Sequence, residues 1–320
     1  MLVYYGLGTR RGKDLSHELN SQYYRSKIKL RRGSFIKTID YALSATMDLI
    51  NIWKYKPRTI IVEFAQSDIM LMVACIVKLF NLNIRIIPDC HTASYIQEGR
   101  DIIGFTKTKK NLVDKCNALI LHNEETVELN LHKNQFVIES KVPKRNNKNQ
   151  NSAGKNITFI TSCNPDEPFE LIFDVSKLMN NEYKFLFTGN YKKLSKELLA
   201  KKPKSITGTG YLSESDYNNL INESLVLVVL TERDYTLLYG GREALAYNVP
   251  VVLSNNNSNY SFFYKGTVLV ENDVNEIVKG INYAIKYRTK LKNELKELNS
   301  EKMILWDNRI NKFNQYLFDS

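Results

Sequence analysis

The sequence predicts an α/β protein built from two parallel sheets, and three observations support this. Strand-like and helix-like segments alternate along almost the whole chain, as in parallel strands joined by crossover helices. The alternation stops once, at the polar, aperiodic segment 141–155 (KVPKRNNKNQNSAGK). The length of 320 residues suits two cores of about 150 residues each. We therefore expect two Rossmann-like domains that face a cleft.

The first half contains five short apolar runs that predict strands: Leu2–Tyr5, Thr59–Phe64, Ile84–Pro88, Ala118–Leu121 and Phe136–Glu139. Between them lie segments of helical character: Asp14–Arg25, Phe35–Trp53, Ile69–Phe80, Lys110–Lys115 and Glu124–Leu131. This order predicts a domain over residues 1–150.

The pattern restarts after the polar segment. Predicted strands are Ile157–Thr161, Phe185–Thr188, Leu225–Leu230, Val251–Leu253 and Thr267–Glu271. Predicted helices are Asp166–Met179, Ser213–Asn222, Glu243–Tyr247, Asn275–Lys286 and Leu291–Leu317. We expect a second domain over residues 151–300 and a C-terminal helix over 301–320.

The net charge of +11 is concentrated in the first half, which has 24 basic and 14 acidic residues in positions 1–150. Such a surface favours an anionic partner, or is simply solvated. No nucleic-acid-binding motif is visible, so we rank an anionic membrane surface above nucleic acid. The basic residues cluster in two groups: Arg10, Arg11, Lys13, Arg25, Lys27, Lys29, Arg31 and Arg32; and Lys107, Lys109, Lys110 and Lys115.

Other features favour a cytoplasmic protein. No apolar run reaches the ~18–20 residues that a membrane span needs, and the first residues do not resemble a signal peptide. The four cysteines have no CxxC spacing, so we expect reduced thiols and neither disulfides nor a zinc site.

The segment 225–255 carries the clearest functional pattern. A buried strand, Leu225–Leu230, leads through a polar loop to Gly240-Gly241 at the start of a helix. Backbone N–H groups at a helix N-terminus can bind a phosphate. Glu243, in the first helical turn, would accept hydrogen bonds from ribose or sugar hydroxyls. The same pattern also suits an ordinary strand–helix–strand turn.

Two motifs here, Glu243-Ala244-Leu245-Ala246 and Pro250-Val251-Val252, resemble the nucleotide-sugar half of family 4 glycosyltransferases, which have the GT-B fold. That family places a first Glu eight residues before the second. Here that position is Tyr235, so half of the paired motif is missing, and Glu232 is the nearest substitute. The resemblance also implies that the last helix crosses back to the first domain.

The resemblance implies a set of donor-binding residues: Gly189, Asn190, Tyr211, Leu212, Gly240, Gly241, Arg242 and Glu243. The family usually has a basic pair after the first strand of this domain, where this sequence has the acidic Ser162–Glu167. Arg242 is then the first choice for the cation that binds the diphosphate, before Lys192 or Lys193. Ser213 and Asp216 also suit a helix cap.

In the first half, Asp89 and His91 follow a predicted strand. Family members place a His near this point, where it reaches the transferred sugar, and either residue could accept the proton of the acceptor. A purely structural His is the alternative. His122 also ends a strand and is the reserve candidate. The spacing of His17, His122 and His132 predicts no metal site.

The loop Gly6-Leu7-Gly8-Thr9 follows the first strand and is the predicted acceptor and phosphate loop. With Gly12 it also resembles a dinucleotide fingerprint, one residue too long, and Arg31-Arg32 could bind a 2′-phosphate. An NADP-binding oxidoreductase is therefore a competing class. A degenerate GT-B subunit that binds without transfer is another, because Tyr235 replaces the first Glu.

The resemblance thus implies a glycosyltransferase of the retaining, metal-independent kind. It would move a sugar from a nucleoside diphosphate sugar to a glycan or lipid-linked acceptor, with no cofactor. Glu243, His91 and Asp89 are the predicted catalytic residues.

Overall fold

The computed structural model describes residues 1–27, 36–65, 68–80, 83–96, 104–144, 154–179 and 182–318, with backbone alone over 36–40. It divides into two compact units. Unit 1 consists of residues 1–141 and 305–320, and unit 2 of residues 142–304. The sequence placed these boundaries at 150/151 and 300/301.

Unit 1 contains a parallel six-stranded sheet in the order β2-β1-β3-β4-β5-β6. Its strands are β1 (Leu2–Gly6), β2 (Gln22–Arg25), β3 (Thr59–Phe64), β4 (Arg85–Cys90), β5 (Leu119–Leu121) and β6 (Gln135–Val137). Its first helices are α1 (Arg10–Glu18), α2 (Ile36–Lys54), α3 (Ile69–Phe80) and α4 (Lys107–Val113). Short 3-10 helices lie at Thr92–Ser94 and Glu124–Leu129.

Unit 2 contains a second parallel sheet in the order β12-β11-β10-β7-β8-β9. Its strands are β7 (Asn156–Phe159), β8 (Lys184–Thr188), β9 (Ile206–Gly210), β10 (Ser224–Val229), β11 (Val251–Ser254) and β12 (Thr267–Val270). Its helices are α5 (Phe169–Leu178), α6 (Lys196–Ala200), α7 (Glu214–Glu223), α8 (Tyr239–Tyr247), α9 (Asn257–Phe262) and α10 (Val274–Lys286), with a 3-10 helix at Tyr191–Lys193. The last helix, α11 (Arg288–Phe318), starts in unit 2 and ends in unit 1.

The predicted fold class is therefore confirmed: two parallel sheets with crossover helices, and a C-terminal helix that returns to the first domain. Glu124–Leu131, predicted as a helix, is a 3-10 helix over Glu124–Leu129, and another predicted helix was wrong in extent. Asp14–Arg25 is not continuous, because Asn20 adopts a left-handed conformation (φ 47°) and the chain then forms β2. A left-handed residue of this kind ends a helix.

Each sheet is covered on both faces, which explains why its central strands are mainly apolar. In unit 1, α2, α3 and α4 pack on one face, whereas α1 and the end of α11 pack on the other. β3 (TIIVEF) is buried at all six positions. One of these six is charged, Glu63.

Each sheet has a switch point, where the strand order reverses and ligands usually bind beyond the carboxyl ends of the strands. In the first sheet the chain runs from β1 to β2 on one side and places β3 on the other, so the switch lies between β1 and β3. By the same logic the second switch lies between β7 and β10. The loops after these four strands are therefore the places to look for function.

Candidate functional site

The predicted donor residues of unit 2 all lie at the carboxyl edge of the second sheet. Gly189 and Asn190 follow β8, Tyr211 and Leu212 follow β9, and Gly240, Gly241, Arg242 and Glu243 begin α8, which follows β10. The parallel order of the strands brings these loops to one edge. Sequence reasoning therefore found residues that the fold gathers on one side of the unit.

Gly240 and Gly241 lie inside the first turn of α8, which starts at Tyr239. A Cβ at Gly240 would come within 3.0 Å of Ile160 and Val229, and one at Gly241 within 2.7 Å of Phe263. The glycines therefore let α8 pack closely on the sheet. The residue before the helix, Leu238, contributes no side-chain cap, so this N-terminus keeps the positive end of its helix dipole available to an anion.

Glu243 lies in the same first turn and is 7% exposed. Its Oε2 accepts a hydrogen bond from the hydroxyl of Tyr217 on α7, at 2.7 Å. Burial and the nearby carboxylate raise the pKa of Tyr217 well above its usual value, so the phenol stays a donor. The sequence analysis did not identify Tyr217. The only signal in the sequence was an aromatic residue on an otherwise polar helical turn.

Arg242 and Lys193, two of the basic residues that the sequence offered for the diphosphate, have different surroundings. Arg242 is 6% exposed, donates to the carbonyl of Leu237 at 3.3 Å and stacks on the ring of Tyr239. Lys193 instead reaches the loop after β7, where its Nζ donates to the carbonyl of Ser162 at 3.0 Å. Lys193 thus brings a positive charge to the loop where the family pattern has a basic pair.

The loop after β7 is held by its own carboxylate. Oε1 and Oε2 of Glu167 accept hydrogen bonds from the backbone N–H groups of Ser162 (2.8 Å) and Asn164 (3.0 Å). Burial raises the pKa of Glu167, and these hydrogen bonds offset part of that rise. Gly189 (φ 93°) packs directly on this loop, since a Cβ there would lie 2.6 Å from the carbonyl oxygen of Thr161.

The loop after β10 is tied to the loop after β7 across the switch point. Asp166 accepts from the hydroxyl of Thr231 at 2.9 Å and lies 3.4 Å from the guanidinium of Arg233. Arg233 therefore adds a second cation at this edge, which the sequence analysis missed although the residue follows a buried strand. Tyr235, at the position of the missing Glu, adopts a left-handed backbone (φ 54°).

Glu232, the substitute for that Glu, lines a cavity of about 560 Å³ with residues of α5 and α6. Four glutamates line it: Glu167, Glu170, Glu197 and Glu232. Its one lysine, Lys201, is paired with Glu170 at 2.6 Å. The negative charge of these glutamates disfavours binding of a diphosphate in this cavity.

Tyr211 is the most exposed large side chain that sequence analysis assigned to the donor site, at 93%. It follows Gly210, which has a positive φ of 71°. Asn190 caps the 3-10 helix Tyr191–Lys193, where its side chain accepts from the N–H of Lys192. An exposed aromatic ring beside a tight turn can stack on a planar ligand.

In unit 1, a buried ion pair organises the carboxyl edge of the first sheet. Arg11 donates to both oxygens of Asp89, from Nε (3.0 Å) and Nη2 (2.7 Å). The hydroxyl of Tyr4 donates to Oδ2 at 2.6 Å, and Nε2 of His122 lies 3.0 Å from Oδ1. Burial alone would raise the pKa of Asp89, but Arg11 and His122 hold it well below its usual range.

The two histidines of this edge lie together. The rings of His91 and His122 are 4.6 Å apart, and Asp89, His91 and His122 have ligand atoms within 4.8 Å of one another. The expectation that His122 has no neighbours at metal spacing was therefore wrong. A divalent cation would nevertheless compete with Arg11 for an Asp89 that already has four donors, so these residues do not fit a metal.

His122 is neutral at ordinary pH. Burial and the charge of Arg11 lower its pKa to about 3, against the smaller opposing effect of Asp89. Asp89 is itself fully buried and contacts Tyr4, Arg11 and His122. His91 is the more accessible of the two histidines, with 25% of its side chain exposed.

Protein groups occupy two backbone N–H groups of the glycine loop after β1. The N–H of Leu7 donates to Oε2 of Glu63 at 2.6 Å, and the N–H of Gly8 donates to the hydroxyl of Tyr23 at 2.8 Å. Thr9 is the N-cap of α1 and accepts from the N–H of Gly12. Gly6 is the last residue of β1. The buried carboxylate of Glu63, on β3 beside this loop, repels a phosphate, which counts against a dinucleotide site.

The basic surface differs from expectation at two positions. Arg11 and Lys109 are each 9% exposed, so their assignment to an anion-binding surface was wrong. Arg11 faces Asp89, and Lys109 donates to the carbonyl of Ser94 at 2.8 Å. Lys29, Arg31 and Arg32 lie outside the described residues, whereas Arg10, Lys27, Lys107 and Lys110 are exposed.

Comparison with known proteins supports the architecture. No protein-family model and no curated protein sequence matches this chain. Sucrose-phosphate synthase from Thermosynechococcus elongatus superposes with a TM-score of 0.75 at 11% identity, over 99% of this chain and 98% of that chain. HepE from Anabaena in complex with UDP and glucose gives 0.68 at 12% identity, over 99% and 98%.

A glycosyltransferase from Rickettsia africae gives a TM-score of 0.66 at 14% identity, over 99% of this chain and 90% of that chain. The chain has the GT-B fold. At such low identities the likeness establishes the fold and leaves the reaction to be argued from the residues.

Two further findings concern the helices and the cysteines. None of the helices in the described ranges combines the length and apolar character needed to cross a bilayer. Cys75, Cys90, Cys116 and Cys163 all have free thiols.

Proposed function

We propose that this protein is a glycosyltransferase that moves a sugar from a nucleoside diphosphate sugar to a hydroxyl of a glycan or lipid-linked acceptor. One observation carries the proposal. The N-terminus of α8, which has no side-chain cap, the buried Glu243 and the loops after β8 and β9 lie at one carboxyl edge of the second sheet in a GT-B fold. A solved GT-B neighbour, HepE, was crystallised with UDP and glucose.

The diphosphate would bind at the N-terminus of α8, where backbone N–H groups and the helix dipole favour negative charge. Lys193 is the best candidate for the accompanying cation, because Arg242 is buried against Leu237 and Tyr239. These groups would stabilise the charge that develops on the leaving diphosphate. The scheme uses no bound metal and no cofactor.

Glu243 would hold the ribose or the donor sugar, with its carboxylate oriented by Tyr217. The exposed ring of Tyr211 would stack on the nucleobase, next to the close turn at Gly189. On the resemblance of the Glu243–Ala246 motif to family 4, we propose that transfer retains the anomeric configuration.

The acceptor would bind at unit 1, where His91 is accessible at the carboxyl edge of the first sheet. His91 can accept a hydrogen bond from a substrate hydroxyl. Asp89 supports this edge through Arg11 and His122.

A peripheral position at an anionic membrane is part of the proposal, and the surface of unit 1 supports it. α2 and α3 lie side by side on one sheet face and expose large apolar residues: Leu43, Met47, Ile50, Trp53, Met72, Ile76, Leu79 and Phe80. The described side chains of these two helices include one carboxylate, Asp48, and it is buried. Exposed Lys54 ends α2, and exposed Lys56 and Arg58 follow it. An anionic bilayer therefore suits this surface better than a second, equally basic copy.

The oxidoreductase alternative loses support, because Glu63 and Tyr23 occupy the N–H groups that would hold a dinucleotide phosphate. A binding subunit without transfer activity remains the second candidate, favoured by the strained Tyr235 in place of the first Glu. Substrate turnover separates it from an enzyme.

Donor binding is tested first by thermal unfolding with UDP, GDP, their sugars and NADPH. A correct nucleotide at about 100 times its Kd should add about 2.7 kcal/mol, or about 5–10 °C, to the melting of the unit that binds it. Stabilisation by NADPH alone would contradict the transferase proposal. Turnover is then measured as sugar release from the stabilising donor with a panel of glycan and lipid acceptors.

The diphosphate assignment has a matched control in the chain. Lys193→Ala should weaken UDP binding about tenfold, the equivalent of one charge-assisted hydrogen bond. Lys192→Ala removes an equally exposed neighbouring charge and should change it little. Equal effects of the two variants would mean that Lys193 attracts the diphosphate only through its charge and makes no specific contact. Arg242→Gln would then be the next variant to measure.

A further inference from the structure

Glu63 is a buried carboxylate that the proposed reaction has not yet used. It is 1% exposed, at the carboxyl end of the fully buried β3. Its Oε2 accepts the backbone N–H of Leu7 at 2.6 Å. Its Oε1 lies 3.2 Å from Nε2 of His91, and within the described part of the chain neither atom has a hydrogen-bond partner of good geometry. The two buried polar atoms are therefore close together and otherwise unpaired.

The glycines of the loop after β1 make room for this carboxylate. A Cβ at Gly6 would lie 3.0 Å from Oε2 of Glu63, and one at Gly12 would lie 3.2 Å from it. Any larger residue at these positions would crowd the carboxylate. The glycine spacing that resembles a dinucleotide fingerprint thus accommodates Glu63.

Burial dictates which atom of the pair carries the proton. A buried carboxylate oxygen without a donor is strongly unfavourable, so Oε1 needs an N–H from His91. That requirement places the proton of the neutral imidazole on Nε2 and leaves the lone pair on Nδ1. Since Nε2 is buried, the exposed quarter of the His91 side chain belongs to its other atoms.

The backbone of His91 is fixed as well. Its N–H donates to the carbonyl of Phe64 at 2.8 Å, directly after Glu63 on β3. The ring is therefore positioned by β3 through both its backbone and its side chain. This arrangement leaves one ring nitrogen, Nδ1, for a ligand.

We propose that Glu63 is a positioning residue for His91: it holds the Nε2–H tautomer so that Nδ1 accepts a hydrogen bond from a substrate hydroxyl. The substrate class is a sugar or glycan hydroxyl, which rests on the proposed function. Glu63 itself does not touch the substrate. Glu63 acts by fixing the tautomer of His91, and this tautomer can be observed without measuring turnover.

The variant Glu63→Gln tests this sharply. The N–H of Leu7 still needs an acceptor, so the amide oxygen should take the place of Oε2 and direct the NH₂ group at Nε2 of His91. His91 would then have to accept at Nε2 and carry its proton on Nδ1. Nitrogen-15 NMR of the full chain labelled on its four histidines, at about pH 8 and so above the reference pKa of a free imidazole, distinguishes the two tautomers.

We expect Nε2–H for His91 in the wild type and Nδ1–H in Glu63→Gln. The kcat for transfer should fall about 10- to 100-fold, the loss of one strong hydrogen bond, while the KM for the donor changes little. Glu124→Gln, an exposed change in the same unit, should alter neither the tautomer nor kcat. His91→Asn identifies the His91 signal.

Nδ1–H in the wild type would overturn the proposal, and this measurement needs no variant that might fail to fold. An unchanged tautomer in folded Glu63→Gln would also overturn it. If no donor or acceptor gives transfer, the proposed function fails, but the tautomer measurement still decides the role of Glu63.

Discussion

The ion pair between Arg11 and Asp89 allows a quantitative test of how unit 1 is held together. Asp89 is fully buried and Arg11 is 9% exposed, with two hydrogen bonds between them. In Asp89→Asn the guanidinium stays buried without a counter-charge, which destabilises a protein by about 3–5 kcal/mol. Arg11→Met leaves Asp89 charged with only Tyr4 and His122 as donors, and we expect a loss of similar size.

The double variant Asp89→Asn/Arg11→Met contains no unpaired charge. It should therefore be destabilised by clearly less than the sum of the two single changes, with a coupling of about 2–3 kcal/mol. For a unit of this size 1 kcal/mol corresponds to about 2–4 °C, so each single variant should melt about 6–20 °C lower.

Tryptophan fluorescence during urea unfolding reports on the correct unit, because Trp53 and Trp306, the two tryptophans of the chain, both belong to unit 1. Asp114→Asn removes an exposed i,i+4 partner of Lys110 and should change stability by less than about 1 kcal/mol. Strictly additive free energies, or a loss below about 1 kcal/mol in Asp89→Asn, would refute the view that this pair organises the edge.

Three other predictions follow from the described contacts. The pKa of His122 is about 3 in the folded state, against 6.5 for an unperturbed imidazole. Unit 1 should therefore lose stability as pH falls from about 6.5 toward 3, by roughly 2 kcal/mol at pH 5. His122→Asn should flatten this slope in urea titrations, and an unchanged slope would contradict the assignment. Gly189→Ala should destabilise unit 2 by about 2 kcal/mol or more, because φ is 93° and the Cβ would lie 2.6 Å from a carbonyl oxygen. In Gly210→Ala the new Cβ would meet only Tyr191, at 3.7 Å, so this variant should lose about 1 kcal/mol. Calorimetry that ranks the two variants in the opposite order would count against the close turn at Gly189. Leu79→Glu should abolish flotation with anionic vesicles while Leu178→Glu, similarly exposed in unit 2, should not; binding that survives Leu79→Glu but disappears in salt would assign attachment to charge alone.

The sequence predicted the fold class and most of the strands and helices because these depend on local periodicity. β3 and β10 are continuous apolar runs, and such runs indicate strands in buried parallel sheets. The strand β2 (QYYR) escaped detection, since four residues with two tyrosines carry little periodicity. Asn20 was the available signal, because Asn tolerates the left-handed conformation that ends α1.

The site was predicted less completely, because its contacts join distant parts of the chain. Arg11 belonged to a run of basic residues, and nothing local showed that Asp89, 78 residues away, would bury it. Glu63 was hidden inside an apolar strand, although one charged residue in TIIVEF was itself an unexplained signal. Tyr217 and Lys193 likewise depend on which loops the sheets bring together.

The last helix has a consequence for how the protein is made. Residues 305–318 complete the core of unit 1: Trp306 donates to the carbonyl of Glu139, and Arg85 donates to the carbonyls of Tyr316 and Leu317. A ribosome that synthesises about 5–20 residues each second needs about 8–30 s to pass from residue 141 to residue 305.

During that interval the end of α11 is not yet available to pack on the face of the first sheet that includes Ile61, Ile87 and Ile120. Unit 2 is continuous from Val142 to Ile304 and can fold as soon as it leaves the exit tunnel. The unit that is translated first should therefore finish folding last, and nascent chains halted before residue 305 should be the ones that chaperones bind.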